Sequence, residues 1–281
     1  MSAESKFRPR MLGIICNWCC YGGADLCGVS RFQYPTYIRL IRVMCSGRVD
    51  LKHIFLAFLT GQDAVFVGGC HINDCHYNPE GNYDALSMAN LGKKLLEHIG
   101  INPKRLRLEW VSAGEGIRFA NIMNEFSREI EELGPLGQSE GIDQIELKSR
   151  LDQISKLIPY IKLAKREKLA LHDINRANEE EYADLYTSEE VDSLIREAPS
   201  YFIDPGKCQA CMICARRCPV DAIIGGKNLI HVIDQDKCIK CGTCFEVCPP
   251  RFGSVQKIVG APVPFPIPEA ERSIARKGAN P

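Results

Sequence analysis

The C-terminal part of the chain contains two similar cysteine-rich runs, CQACMICARRCP at residues 208–219 and CIKCGTCFEVCP at residues 238–249. Both runs have the spacing Cys-x-x-Cys-x-x-Cys-x-x-x-Cys-Pro. Eight of the fifteen cysteines of this 281-residue chain belong to them. Thiol ligands repeated at such a spacing predict a small, internally repeated unit organised around bound metal.

The spacing is typical of bacterial ferredoxins that bind two [4Fe–4S] clusters, in which the fourth cysteine of each run ligates the other cluster. Structural zinc is the alternative, but zinc sites usually use separated Cys-x-x-Cys pairs rather than four cysteines in one compact run. Such a module predicts one-electron transfer. The two predicted ligand sets are Cys208, Cys211, Cys214 and Cys248 for one cluster, and Cys238, Cys241, Cys244 and Cys218 for the other.

The composition excludes several classes of protein. The net charge is zero, which gives no electrostatic reason to expect nucleic-acid binding. No apolar run reaches the length of a membrane span, and the N-terminus lacks the apolar core of a signal peptide. We therefore expect a cytoplasmic protein, whose cysteines bind metal rather than form disulfides.

The N-terminal half alternates short apolar runs with helical patterns, which predicts an α/β fold. We expect an open parallel sheet of flavodoxin-like type with flanking helices. The predicted strands are 11–16, 39–45, 63–70 and 105–113, and the predicted helices are 51–59, 86–99 and 116–133.

Cys16, Cys45 and Cys70 each fall at the carboxyl end of a predicted strand, the edge at which open α/β sheets bind ligands. Cys19 and Cys75 lie close to them in sequence, so a metal centre at this rim accounts for five thiols. A thioredoxin-like Cys16-x-x-Cys19 motif is the rival interpretation, but it leaves the others unexplained. We interpret two further cysteines, Cys20 and Cys27, as packed thiols.

The rest of the chain suggests a division into four parts. We predict an N-terminal domain at residues 1–134, a helical linker at 135–200, a ferredoxin domain at 201–260 and a proline-rich extended tail at 261–281. Isoleucine and leucine recur at helical spacing in the linker, which predicts amphipathic helices that pack on a domain or offer an apolar stripe to a partner. The ferredoxin domain is expected to be α+β.

Five N-terminal motifs closely resemble the MvhD family, the delta subunit of methyl-viologen-reducing hydrogenase. The resemblance extends from about residue 12 to 133. It implies a [2Fe–2S] cluster bound by four of the five cysteines Cys16, Cys19, Cys45, Cys70 and Cys75. The motifs are CNWCCYGGADLCGVSRFQYP (16–35), IRVMCSGRVD (41–50), GGCHINDCHY (68–77), GNYDAL (81–86) and RLRLEWVSAGEGIRF (105–119).

Several residues near these cysteines have two interpretations. His71 and His76 would make a Rieske-like centre if they were ligands, but we interpret them as hydrogen-bonding neighbours because enough thiols are present. The arginines Arg31, Arg42 and Arg48 either offset cluster charge, pair with a partner's carboxylates, or are solvated. Trp18 and Tyr21 either shield the site from water or simply pack.

The family resemblance implies an electron-transfer connector subunit with one [2Fe–2S] and two [4Fe–4S] clusters and no substrate site. Its partners would be a hydrogenase, formate dehydrogenase or ferredoxin-type protein and an HdrA-like flavin subunit of an electron-bifurcating, heterodisulfide-reductase-type complex. The alternative is a thiol-disulfide or small-molecule reductase whose N-terminal dithiol is supplied with electrons by the ferredoxin domain. We weigh a scaffold with structural clusters below both. Electron donor, acceptor, direction, cluster potentials and oligomeric state stay open.

Overall fold

The structure is a computed structural model that describes residues 7–78, 80–170, 182 and 185–274. The chain divides into two compact units. The first takes its residues from Met1–Ile158 and Lys165–Asp192, and the second from Pro159–Ala164 and Ser193–Pro281. The four-part division drawn from the sequence stays a prediction.

A four-stranded parallel sheet forms the centre of the first unit, with the strand order β2-β1-β3-β4. Every residue of β3 is buried, as expected for a central strand covered on both faces, whereas the edge strand β2 is partly exposed. This arrangement confirms the predicted open parallel sheet. The strands are β1 (Met11–Cys16), β2 (Ile38–Val43), β3 (Ala64–Gly69) and β4 (Leu106–Trp110).

Helices connect the strands and pack in two pairs, α1 with α4 and α2 with α3. Because crossovers between parallel strands are right-handed, the order of the strands places α1 on the opposite face from α2 and α3. Asp50 caps α2 through a hydrogen bond from the backbone N–H of Lys52 (2.8 Å). The helices are α1 (Cys19–Val29), α2 (Leu51–Leu59), α3 (Glu80–His98) and α4 (Gly116–Leu133).

Helix α1 has no counterpart among the elements predicted from the sequence. Its two adjacent glycines weaken the helical signal, but they allow a close approach to the loop after β4. A Cβ atom on Gly23 would lie 2.8 Å from the carbonyl oxygen of Ser112, and one on Gly22 would lie 2.8 Å from Cβ of Ala113. Tertiary packing therefore overrides the low helix propensity of this segment.

A buried arginine stabilises the base of the sheet. Arg105 is fully buried, and its Nε donates a hydrogen bond to Oε1 of Glu140 (2.7 Å). Its Nη1 donates to the carbonyl oxygens of Asp63 and Gly134 (3.2 and 3.0 Å), which connects β3 to the segment after α4. The pair satisfies groups that would otherwise be buried without partners.

Three helices lie in the described part of the predicted linker. They are α5 (Gln144–Ala164), α6 (Arg166–Leu169) and α7 (Ser188–Arg196), and the predicted linker residues 171–181, 183 and 184 lie outside the described residues. The buried positions of α5 recur at helical spacing, at Leu147, Leu151, Ile154, Ile158 and Ile161. The apolar face of α5 is thus largely buried within the protein rather than offered to a partner. Ile145, at the start of the same pattern, is 86% exposed.

The second unit contains two antiparallel strand pairs and two short helices after the cysteine loops. β5 (Ser200–Ile203) pairs with β8 (Val255–Ile258), and β6 (Ile223–Gly226) pairs with β7 (Leu229–Ile233). Helix α8 (Ile213–Arg217) and helix α9 (Thr243–Glu246) occupy equivalent places in the two cysteine runs. This α+β repeat agrees with the predicted ferredoxin fold.

The described part of the proline-rich tail belongs to the second unit and pairs with its strand β7. The backbone N–H of Ile230 donates to the carbonyl oxygen of Arg272 (2.7 Å), and that of Ile274 donates to Asn228 (2.8 Å). The tail thus adds to the outer edge of β7, whereas residues 275–281 lie outside the described part. Among the described helices, none is long and apolar enough to cross a membrane.

Candidate metal centres

Two buried cysteines meet at the carboxyl edge of the sheet of the first unit. Cys16 is the last residue of β1 and Cys70 directly follows β3. Their Sγ atoms are 3.7 Å apart. Two thiolates on one tetrahedral metal with bonds of about 2.3 Å would lie about 3.8 Å apart, so the pair has the separation that one iron requires.

A second pair of thiols, Cys45 and Cys75, lies against the first turn of α3. A Cβ atom on Gly81 would lie 2.4 Å from Sγ of Cys45 and 2.8 Å from Sγ of Cys75. A Cβ on Gly47 would in turn lie 2.5 Å from the carbonyl oxygen of Gly81. Gly81 therefore leaves the space in which this second pair of sulfur atoms lies, and Gly47 leaves the space that the backbone of Gly81 occupies.

The remaining cysteines of this unit fall into two kinds. Cys19 is half-buried at the start of α1 and hydrogen-bonds with Cys70, so it belongs to the same rim. Cys20 is fully buried in the core; its backbone N–H donates to Sγ of Cys16 (3.3 Å). The thiol of Cys27 donates to the carbonyl oxygen of Phe32 (3.6 Å), as expected of a packed thiol.

The electrostatics of the rim stabilise one thiolate in particular. A hydrogen bond from Cys70, supported by backbone N–H groups of residues 18–20, lowers the pKa of Cys16 to about 6. The same hydrogen bond raises the pKa of Cys70, which keeps its proton, and burial raises the pKa of Cys45 to about 11. Metal binding at this rim therefore has to displace protons.

Two buried polar atoms beside these thiols have no hydrogen-bond partner among the described residues, the hydroxyl of Ser46 and Oδ1 of Asn82. Buried polar groups nearly always find a partner, so their isolation next to Cys45 and Gly81 fits a site for a bound group. No three His, Cys, Asp or Glu side chains of the described chain surround one point as a single bound ion requires. A [2Fe–2S] cluster instead uses ligands in two pairs, one on each iron, and the rim offers two pairs of thiols.

Both histidines of the rim have partners other than the thiols. Nε2 of His71 lies 2.7 Å from Oε2 of Glu115, which also accepts a hydrogen bond from the backbone N–H of Ser112 (2.7 Å). The ring of His76 stacks on Trp18, with ring centroids 3.9 Å apart. The stack joins the segment that carries Cys75 to the start of α1.

Two of the three arginines noted in the sequence lie close to this rim: Arg42 is the penultimate residue of β2, and Arg48 lies three residues after Cys45. Arg31 instead follows the C-terminal end of α1, a helix that begins at the rim and is about 16 Å long. Arg31, Arg42 and Arg48 are all exposed. The guanidinium of Arg42 lies over the ring of Tyr21, with Cζ 4.4 Å from the ring centroid. The arrangement leaves positive charge on the surface near the thiols.

In the second unit, one of the two predicted ligand sets lines a small pocket. The lining includes its four cysteines Cys218, Cys238, Cys241 and Cys244, together with apolar residues such as Ile223 and Ile233. Cys218 thus lies with the cysteines of the other run, as a crossing ligand must. An apolar pocket lined by four sulfur donors fits a [4Fe–4S] cluster.

The other set is also brought together. Burial and the charges of Cys208, Cys211 and Cys248 raise the pKa of Cys214 to about 11. Sγ of Cys248 lies 3.2 Å from Oγ of Ser254. In both runs, the residue before the helix has left-handed backbone, Met212 with φ 66° and Gly242 with φ 83°, so the two loops have the same conformation although only one has glycine.

Residues 11–134 match the family model described as methyl-viologen-reducing hydrogenase, delta subunit. The iron-sulfur subunit of an F420-non-reducing hydrogenase from Archaeoglobus profundus is 49% identical over 132 residues, which cover 47% of this chain and 96% of that protein. This chain belongs to the family of the methyl-viologen-reducing hydrogenase delta subunit. The corresponding vhc iron-sulfur protein of Methanococcus voltae is 45% identical over 141 residues, 50% of this chain and 97% of that protein.

Residues 200–249 of this delta-subunit family member match the model of a 4Fe-4S dicluster domain. A third relative is one chain of the ferredoxin/F(420)H(2)-dependent CoB-CoM heterodisulfide reductase of Methanosarcina acetivorans, 49% identical over 136 residues. That match covers 48% of this chain but only 17% of the relative. The matches confirm the predicted family and make the protein an iron–sulfur electron-transfer subunit of the hydrogenase and heterodisulfide reductase type.

Sequence reasoning missed several residues that shape the N-terminal site of this family member. Gly81 and Gly47 were not singled out, because a close approach of backbone to sulfur leaves no mark in a single sequence. Glu115 lies 44 positions from His71 in a loop after β4, and only the fold brings the two together. The ligand assignments themselves stay predictions.

Proposed function

We propose that this protein relays single electrons through one [2Fe–2S] cluster in the first unit and two [4Fe–4S] clusters in the second. The observation that carries the proposal is the convergence of five thiols, delivered from three strand ends and two loops, at one edge of the sheet. A site that served only packing would not require thiols from so many separate segments. We assign it no substrate site of its own.

The geometry favours Cys16 with Cys70 on one iron and Cys45 with Cys75 on the other. Cys19 is then the fifth thiol, because it is the one of the five that is not fully buried. In the second unit we assign the crossed ligand sets stated above. We place the protein in the cytoplasm, since fifteen unpaired thiols require a reducing compartment.

When bound, the clusters supply one-electron redox sites, and the protein residues position and insulate them. Backbone N–H groups around Cys16 stabilise its thiolate. The stacked rings of Trp18 and His76 exclude water from one side of the rim. The exposed arginines nearby offset the negative charge of a thiolate-bound cluster and attract an acidic partner surface.

For partners we propose an HdrA-like flavin protein on one side and a hydrogenase, formate dehydrogenase or ferredoxin-type protein on the other. The relatives support this in two ways. Several are named as iron–sulfur subunits of hydrogenases, whereas in two Methanosarcina proteins a similar segment is part of a much longer heterodisulfide reductase chain. A segment that is joined to a heterodisulfide reductase chain in one organism is expected to contact such a chain as a separate protein in another.

A dithiol reductase is the second candidate, and the lowered pKa of Cys16 favours it, because the thiolate is the nucleophile in thiol–disulfide exchange. Against it, Cys16 is only 1% exposed, and reactive thiols need access to a substrate. The two candidate functions predict different iron contents: the connector requires a cluster in the first unit, whereas the dithiol reductase requires none there.

The deciding experiment is to measure iron and acid-labile sulfide per chain of anaerobically purified protein, with EPR of the reduced state. The connector requires about ten irons and a [2Fe–2S] signal beside two [4Fe–4S] signals. Cys70→Ser is expected to remove the [2Fe–2S] signal alone, while Cys19→Ser retains it. About eight irons, with N-terminal thiols free to react, would instead support the reductase.

If Cys19→Ser loses the [2Fe–2S] signal and Cys45→Ser keeps it, the pairing proposed here is wrong although the connector function stands.

A further inference from the structure

The two cysteine runs of the second unit are related by a shift of 30 residues, and the residues that precede them in β5 and β7 follow the same relation. The backbone carbonyl oxygens of Asp204 and Asp234 accept hydrogen bonds from the backbone N–H groups of Cys208 and Cys238 (3.1 and 3.0 Å), in equivalent turns. The two repeats differ three residues before these aspartates, within the strands. Tyr201 in β5 corresponds to His231 in β7.

His231 lies in direct contact with one of the two cysteine loops. The imidazole is only 1% exposed; its Nδ1 lies 3.7 Å from Sγ of Cys208, and its Nε2 lies 3.1 Å from Sδ of Met212. A Cβ atom on Gly225 would lie 2.2 Å from Cδ2 of the ring. The absence of a side chain at that position is therefore what leaves room for the imidazole.

The chemistry of the neighbours determines which nitrogen carries the hydrogen. A cluster-bound Cys208 is a thiolate, which can only accept a hydrogen bond, and the thioether of Met212 can only accept weakly. The ring is best satisfied when Nδ1 carries a hydrogen and donates it to Sγ of Cys208. Such a bond to a charged acceptor is of the stronger, charge-assisted type.

The equivalent residue at the other loop offers no such bond to a thiolate. Tyr201 places its hydroxyl against the backbone of the second loop, where a Cβ on Gly242 would lie 2.9 Å from Oη. One loop thus has an imidazole N–H on a ligand sulfur, and the other has a phenol on its backbone.

We propose that His231 makes the two [4Fe–4S] centres unequal, by raising the reduction potential of the one bound by Cys208, Cys211, Cys214 and Cys248 above what its own loop would give. The inference rests on the crossed ligand assignment proposed above. Reduction adds negative charge to a cluster and its thiolates, so a hydrogen bond to a ligand sulfur favours the reduced form. The bond thereby shifts the distribution of an electron in the module toward the side of His231.

The test is a potentiometric titration of the full-length protein, followed by EPR of both [4Fe–4S] signals. His231→Phe removes the donor and keeps a ring, and we expect it to lower one of the two midpoint potentials and leave the other unchanged. His231→Asn returns a donor near the position of Nδ1 and is expected to restore most of the shift. Tyr201→Phe is the matched control at the equivalent position and should leave the His231-dependent potential unchanged.

The proposal is overturned if His231→Phe changes neither potential, if it shifts both equally, or if His231→Asn behaves like His231→Phe. If His231→Phe does not bind iron, wild-type protein labelled with ¹⁵N-histidine decides the matter. A histidine nitrogen coupled to a reduced [4Fe–4S] centre in pulsed EPR supports the proposal, and its absence overturns it. Neither the potentiometric nor the pulsed-EPR result depends on whether the first unit binds a [2Fe–2S] cluster. The connector function is therefore tested separately, by the iron content.

Discussion

The two units of this protein bring thiols together in opposite ways. In the first unit, the Sγ atoms 3.7 Å apart belong to residues 54 positions apart, Cys16 and Cys70, and the sheet determines their separation. In the second unit, most ligands of a set come from one short loop, and a left-handed residue such as Met212 or Gly242 turns that loop. One site is built by tertiary structure, and the other mainly by local sequence.

The units also differ in what stabilises them. The first has an apolar core of its own, with Phe66, Phe119 and Phe126 fully buried beside the sheet. In the second, three of the seven buried core residues are the predicted ligands Cys208, Cys214 and Cys244. A region of this size with so few apolar residues does not bury enough surface to fold alone. The comparison therefore suggests that the first unit shapes its site, whereas the second depends on its clusters for folding.

Removal of iron by a chelator is expected to have the largest effect, and it should separate the two units. The second unit should unfold, because its core loses the metal that its thiols bind, while the sheet of the first unit persists. Hydrogen exchange of the full chain would show fast exchange in β5 to β8 and continued protection in β1 and β3. Retained protection in the second unit would contradict the comparison.

Gly81→Ala should affect only the first unit's site. The new Cβ would lie 2.4 Å from Sγ of Cys45 and 2.8 Å from Sγ of Cys75, so the sulfur atoms have to move. We expect a loss of about two irons per chain together with the [2Fe–2S] signal, and unchanged [4Fe–4S] signals.

Gly28→Ala is the control for this variant, since a Cβ there meets nothing within 4 Å. It should retain all iron. If Gly81→Ala also retains the full iron content, the space beside α3 is not part of the site.

Glu140→Gln should lower the stability of the first unit by about 3–5 kcal/mol, because it leaves the charge of Arg105 buried without its partner. Burial opposes ionisation of Glu140, but the hydrogen bond and charge of Arg105, together with hydrogen bonds from the backbone N–H of Asn102 and the hydroxyl of Ser139, outweigh it and lower the pKa. A carboxyl group with a lowered folded pKa stabilises the fold above its unfolded pKa of about 4.3, and that contribution is lost as the pH falls through the folded value.

Denaturant unfolding from pH 7 down to pH 3 would measure this effect. The wild type should lose stability on the acid side, whereas the profile of Glu140→Gln should be flatter there. Asp152→Asn removes an exposed ion pair with Lys156 (3.3 Å) and should change stability by at most about 1 kcal/mol. Equal effects of the two substitutions would argue against a buried anchor at Arg105.

Trp18→Ala should have the smallest effect, about 1 kcal/mol on the first unit, because Trp18 is 39% exposed and mainly stacks on His76. We expect faster hydrogen exchange around Cys75 but no loss of the sheet. Phe265→Ala, at a position that is 97% exposed, should change nothing. A global loss of protection in Trp18→Ala would mean that the stack stabilises the whole fold rather than the rim.

Much of this architecture can be read from single residues. The limits of β1, α2 and α4 agree with those predicted, because apolar periodicity and the Asp50 cap act locally. The rim position of Cys16 and Cys70 follows from the rule that parallel strands end at one edge. Helix α1 was missed, since its glycines are favoured by contacts with the loop after β4, which are remote in sequence.

The sequence by itself determined the kind of cofactor in the second unit, because ligands a few residues apart have to lie in one loop and their spacing is a local property. It also predicted a common purpose for five N-terminal thiols. Only the tertiary structure decided which of those thiols lie next to each other and which glycines leave space for them. It also decided that His231, and not Tyr201, has a ring nitrogen beside the sulfur of a predicted ligand, Cys208. These facts depend on contacts between distant segments, and such contacts follow from packing rather than from spacing.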